Sequence, residues 1–312
     1  MANSVDWPEA VWQEINDAVL AEVSKVRTAQ KVFPTSVLDG DPTEVANDVI
    51  EFPEGPPKRG EPRKFLSIRE GLTKPFVEIY LEFPLTTAQV TREAQLKTCK
   101  TLARMAAKAV GLAEDVVLFQ GSDGKLPADV IADPALAGKG LLGESQRGDA
   151  NDDDPYKVSR PIPVIPPEGR RKGVTWGEAT FSAVTDGIAL LAAKAQAPKF
   201  ALFLPVRAYA DTFVPPGDQS LITTAERIKP LVEGGFMEVV TLPETKGLLV
   251  ALAGDPTSLH VGREATTVFV RMEGAQYFFR VVERIQFVAR DARAFVLLDF
   301  QPPGGAEGTK SS

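Results

Sequence analysis

Phe76-Val77-Glu78-Ile79-Tyr80-Leu81-Glu82-Phe83, then a run from Thr87 to Val110 rich in alanine and free of proline and glycine, then Ala113-Glu114-Asp115-Val116-Val117-Leu118-Phe119-Gln120-Gly121: this succession decides the fold. In the first segment Val77, Ile79, Leu81 and Phe83 share one face and Glu78, Tyr80 and Glu82 the other, the period of a half-buried strand. The second segment predicts a long unbroken helix. On it Cys99 lies with Leu96, Leu102, Ala103, Ala106 and Val110 on one side, counting about 100° per residue, which makes Cys99 a packed thiol rather than a nucleophile. Before the strand stands Val49 to Pro75, polar, charged and broken by five prolines, the composition of a linker or an extended arm.

Outward from that stretch, Pro8 to about Gln30 reads as an amphipathic helix. Val11, Trp12, Ile15, Val19, Val23 and Val26 fall within an arc of about 120°, with Asp6 as candidate cap and Pro8 in the first turn. In the other direction, Thr175 to about Gln196 predicts a helix, and Phe200 to Leu204 and Leu248 to Ala253 predict two apolar strands. Thr223-Thr224-Ala225-Glu226 has capping-box spacing, so a shorter helix starts there and is ended or kinked by Pro230. Two further strand-like runs, Phe279 to Phe287 and Ala294 to Phe300, close the chain. Glu144 to Gly173, with the acidic Asp149 to Asp154 and the run Val158 to Pro167, reads as an insertion forming a surface β-arm.

Composition bounds the function. The chain has 312 residues, 44% of them hydrophobic, enough for a sizeable core in one elaborated domain or two. Its 25 prolines are about 8% of the chain against an average of about 5%, in keeping with extended arms and loops. The formal charge of −7 disfavours a phosphate-binding lumen, which needs lysine and arginine in excess, so no nucleic-acid partner is expected. No apolar run reaches the roughly 18 residues of a membrane span, and residues 1–30 lack the basic-then-apolar order of a signal peptide; a cytoplasmic protein is expected. One cysteine excludes an intrachain disulfide framework.

Three motifs suggest chemistry and lack its context. Gly138-Lys139-Gly140-Leu141-Leu142-Gly143 fits G-x-G-x-x-G, but no strand precedes it, as a dinucleotide fingerprint requires. Asp149-Ala150-Asn151-Asp152-Asp153 begins like a calcium loop, yet Asp154 stands where the loop needs glycine and Arg160 where it needs a bidentate glutamate. His260 is the only histidine, so one chain cannot build a two-histidine metal site, and no nucleophile stands evidently beside it. No catalytic residue, metal or cofactor is assigned.

Taken in order, the Trp12-Gln13-Glu14-Ile15 helix, the arm, the strand, the long helix ending in Ala113 to Gly121, and the closing strands Phe279-Arg280-Val281-Val282-Glu283-Arg284-Ile285-Gln286-Phe287 and Ala294-Phe295-Val296-Leu297-Leu298-Asp299-Phe300 resemble the encapsulin shell proteins. Within that linocin/bacteriocin-type family they resemble the class with a lumen-facing N-terminal helix. One departure is Asp291-Ala292, where relatives often have Asn-Pro in the closing turn. The resemblance implies an α+β, HK97-like capsid protomer with peripheral domain, axial domain and extended loop. It places residues 1–48 in the N-terminal helix and start of the peripheral domain, 49–76 in the extended loop, and 77–121 in the peripheral strand and spine helix. Residues 122–256 form the axial domain with the insertion at 144–173, 257–301 the peripheral C-terminal strands, and 302–312 a flexible tail. Phe65, Leu66 and Ile68 become contact residues on the loop. The resemblance further implies that the chain partners with itself in a closed icosahedral shell and with a cargo enzyme carrying a targeting peptide, as a cytoplasmic nanocompartment. The cargo groove would use Val19, Val23, Val26, Leu259 and Val261. Pro215, Pro216, Gly217, Asp218, Gln219 and Ser220 would line a five-fold pore. A phage or prophage HK97-type capsid protein is the alternative within this fold; an enzyme of protease or bacteriocin type is the alternative outside it.

Overall fold

A computed structural model describes residues 5–52, 65–166, 176–215 and 221–302. In chain order the first part contains α1 (Glu9–Val26), β1 (Thr35–Val37), β2 (Glu44–Ala46) and β3 (Val49–Glu51). Then come β4 (Ser67–Arg69), β5 (Thr73–Pro75), β6 (Val77–Thr86), α2 (Thr87–Thr91), α3 (Glu93–Leu96), α4 (Thr98–Gln120) and α5 (Gly140–Glu144). The remainder holds β7 (Ile162–Val164), α6 (Gly177–Ala193), β8 (Phe200–Leu204), α7 (Val206–Asp211), α8 (Thr224–Ile228) and β9 (Gly235–Glu238). It closes with β10 (Lys246–Ala251), β11 (Thr257–Glu273), β12 (Gln276–Ala289) and β13 (Phe295–Phe300).

These elements form two compact units. The described residues of 1–47, 71–140 and 258–288 make the first, and those of 48–70, 141–257 and 289–312 the second. The first is built on a four-stranded sheet in the order β1-β11-β12-β6, with β2 and β5 as a separate ladder. Val77, Ile79 and Phe83 of β6 are buried as their alternation requires, and α4 packs on this strand. On the opposite face Glu82 and Glu78 stand directly across from Arg280 and Arg284 of β12, and both pairs close as salt bridges. α1 lies along α4, with Ile15, Val19 and Val23 buried; it begins at Pro8 without a side-chain cap, so Asp6 does not cap it. At Gly111 an added Cβ would come within 2.7 Å of Val26 Cγ2, which is why the two helices can approach there.

The run 87–110 is not one helix. α2 starts at a capping box between Thr86 and Gln89, and α3 ends at Lys97, whose φ of 52° is left-handed. α4 then starts afresh, because the buried Glu93 carboxylate accepts from the Cys99 and Lys100 N–H groups that an unbroken helix would have used internally. It runs past Val110 through Ala113 to Gln120, so the segment expected to follow the helix is its last turns. Cys99, Ala103, Ala106 and Val110 are buried, whereas Leu96 is exposed.

The second unit carries a five-stranded mixed sheet, order β7-β13-β10-β8-β9, with α6 packed on β7, β13 and β10. All of β8 and nearly all of β10 and β13 are buried, so they read as continuous apolar runs. Three segments lie elsewhere than the sequence reading placed them. Residues 289–301 belong here rather than with 258–288, because β13 pairs with β10 and β7. Residues 122–140 belong with the first unit. There Ile131 bridges Tyr80, and Gln286 donates to the Leu136 carbonyl. Within the 144–173 segment, Ile162–Val164 is an edge strand of the sheet, and residues 167–173 lie outside the described ones.

Candidate functional site

The surfaces that the sequence singled out fall in four places. In the first unit, Val19, Val23, Leu259 and Val261 are all interior and Val26 is half-buried. α1 and β11 do meet, since Asn16 Oδ1 accepts from the Thr267 N–H, and Leu259 and Val261 sit opposite Thr35 and Val37 in a parallel ladder with β1. The valine stripe of α1 is thus spent on packing in the folded chain.

The second place is the arm. β3 and β4 pair antiparallel over three residues each, Ile50 against Ile68, within the segment read as the arm. Its base is held by the Ile50 N–H, which donates to the Arg290 carbonyl, and by Phe52, over whose ring the Arg293 guanidinium lies 3.4 Å from the centroid. Asp291 grips that guanidinium with both oxygens and also accepts from Gln196. In the closing turn, aspartate therefore orients the arginine that braces the arm. Phe65, Leu66 and Ile68 are exposed at 77%, 64% and 58%.

The third place is the loop 215–220, of which only Pro215 is among the described residues. Its base is closed by the Ala225 N–H, which donates to the Thr212 carbonyl at 2.7 Å, and by the capping box of Thr223 and Glu226. Around that base the rings of Tyr209, Phe213 and Phe236 cluster with centroids 4.9, 5.0 and 6.3 Å apart, and Leu221 is 95% exposed.

The fourth is the set of apparent chemical motifs. The glycine motif at 138–143 serves backbone packing: Gly121 and Gly140 both have positive φ, and a Cβ on Gly121 would lie 2.2 Å from the Gly138 carbonyl oxygen. The acidic loop is organised from within. Lys194, fully buried, donates from Nζ to the carbonyls of Asn151 and Asp154 at 2.9 Å, and burial lowers its pKa. Among the described residues no cluster of three or more ligating side chains fits a metal. Cys99 is buried and its thiol is pushed well up by that burial, which suppresses the thiolate. His260 Nε2 lies 2.9 Å from Ser258 Oγ, two residues away on the same face of β11.

No family model and no curated protein matches the chain. Solved structures do match, and they define the class: the chain has the HK97-like capsid fold. It is similar to the virus-like particle from Pyrococcus furiosus at a TM-score of 0.64 and 16% identity, over 94% of this chain and 100% of that one. It is also similar to the capsid of a native GTA particle (TM-score 0.57, 13% identity, 88% and 89% of the two chains). The capsid of Myoviridae phage XM1 is a further match (0.54, 11%, 87% and 90%).

Proposed function

We propose that the chain is the shell protomer of an encapsulin nanocompartment, assembling with copies of itself into a closed icosahedral shell around a cargo enzyme that carries a targeting peptide. The observation that carries this reading is the likeness to the Pyrococcus furiosus virus-like particle along the whole of that chain. The exposed apolar arm residues and Leu221 are consistent with it, as surfaces that a neighbouring copy would cover. In this reading no catalysis is assigned, and the protein acts by tiling. Cargo recognition is placed on the α1 face, with Val26 at the surface and Val19, Val23, Leu259 and Val261 beneath it as the packed floor. The loop 215–220 is placed at a pore, where Asp218 would present a ring of negative charge that favours cations. Among the described residues no helix is long and apolar enough to cross a membrane, and a cytoplasmic location belongs to the proposal.

A phage or prophage capsid is the second reading, favoured by the matches to the GTA and phage XM1 capsids. Purification followed by size exclusion and negative-stain microscopy tests the common part: uniform hollow shells are expected, and a folded monomer across pH and salt would refute both readings. The contents of shells isolated from their own cells then separate the two. A co-purifying enzyme supports the nanocompartment, and packaged DNA supports the phage.

A further inference from the structure

In the interior of the first unit, Glu114 on α4 and Glu283 on β12 are both completely buried, and none of their four carboxylate oxygens has a hydrogen-bond partner in the protein at ordinary length. The nearest cation is Arg27, the residue that ends α1, with Nη1 3.6 Å from Glu283 Oε1. The other charged groups that face the pair are Asp115 on α4 and Glu264 on β11, while Lys31 just after α1 faces Asp115. Asp115 is already engaged, accepting the N–H groups of Thr28 and Ala29 where the chain leaves α1.

Two neighbouring carboxyls removed from water cannot both ionise without a large penalty, whereas one protonated and one ionised carboxyl satisfy each other with a single hydrogen bond. Arg27 decides which of them keeps the proton, because it stabilises the anion of Glu283 alone at contact range. We propose that Glu114 and Glu283 form a buried proton site in which Glu114 is the neutral donor and Glu283 the titrating acceptor beside Arg27, so that the joint between α1, α4 and β12 responds to pH. The electrostatics agree. Burial, then the charges of Glu283 and Asp115, push Glu114 well above the ordinary carboxylate range. Burial raises Glu283 to about 7 against the pull of Arg27, and raises Asp115 to about 6 against its N–H donors.

The sign follows from these raised values. Between the ordinary range near 4.5 and about 7 the folded chain holds a proton on Glu283 that the unfolded chain has lost. The stabilisation is complete below about 4.5 and is lost as pH rises through about 7, with Glu114 extending the loss further. The folding equilibrium constant therefore falls by up to about tenfold per pH unit for each such proton.

Infrared spectroscopy of the full-length protein in H2O and D2O tests the proposal without any substitution. A protonated-carboxyl C=O band that persists at pH 8, above the range of Asp115 and Glu283, is expected and belongs to Glu114. Its absence at pH 8 would overturn the proposal. Denaturant unfolding from pH 5 to 8 supplies the second arm: the double variant Glu114→Gln/Glu283→Gln should lose most of the wild-type decline in stability and keep only the part due to Asp115. An unchanged slope in that variant would equally overturn it. The infrared measurement does not depend on shell formation, and the unfolding series compares wild type and variant in the same assembly state.

Discussion

Gly121 ends α4 at φ 56° and ψ −131°, a region that residues with a Cβ avoid, and the turn at 138–140 occupies the space where that Cβ would go. Backbone strain and backbone collision act together there. Gly121→Ala is expected to lower the unfolding free energy by about 2–4 kcal/mol, read as a shift in the denaturant midpoint at constant slope. Gly254→Ala has the positive φ but open space around the new methyl, and should cost about 1 kcal/mol. At this scale the sequence was half legible. The glycine motif could be dismissed as a nucleotide site for want of a preceding strand, but its real use needs residues 121 and 140 in contact, which no spacing rule brings together. Glu114 and Asp115 were equally hidden. Their one signal was two acids placed inside the apolar run Ala113 to Phe119, where an exposed helix face would have spread them at intervals of three and four.

Elements whose borders are set by their own residues could be read directly: β8 coincides with the expected Phe200 to Leu204, α6 lies within Thr175 to Gln196, and the Thr223–Glu226 capping box opens α8. Borders set by tertiary contacts could not. Nothing between Thr87 and Val110 breaks a helix by propensity, yet the left-handed Lys97 and the Glu93 carboxylate divide it, because Glu93 is buried where it can serve as a cap. Glu93→Ala removes the acceptor for two N–H groups and should destabilise the protein by about 1–2 kcal/mol, detected in thermal unfolding followed by far-UV circular dichroism. A Glu93→Gln variant keeps one acceptor oxygen and should fall between the two. The apolar run Ala294 to Phe300 likewise marked β13 as a strand without revealing its partners, and the partners decide that it closes the second unit's sheet.

For the whole molecule, the test is whether surface side chains with no task in the single chain have one in the assembly. Ile68 is 58% exposed, so Ile68→Asp should change the stability of the isolated chain by no more than about 0.5 kcal/mol. If the arm laps a neighbouring copy, the same substitution places a charge in an apolar contact at a penalty of several kcal/mol per copy, multiplied around a closed shell. Folded, unassembled protein by size exclusion is the expected result; shells of normal yield would remove the arm from the assembly. The architecture as a capsid-type fold was legible because its elements keep their order, while the surfaces on which the proposed loading and closure would rest depend on burial that order does not carry.

Lys194 gives the acidic loop a meaning beyond its own packing. The amine stands among carbonyls and beside aspartates, in a segment whose first residues imitate a calcium loop. A divalent ion is borrowed from solution and returned when its concentration falls, whereas an ammonium tethered to α6 stays for the life of the chain. The loop is therefore expected to keep its shape in calcium-rich and calcium-depleted surroundings alike, which thermal unfolding with added calcium and with a chelator would check by giving the same midpoint.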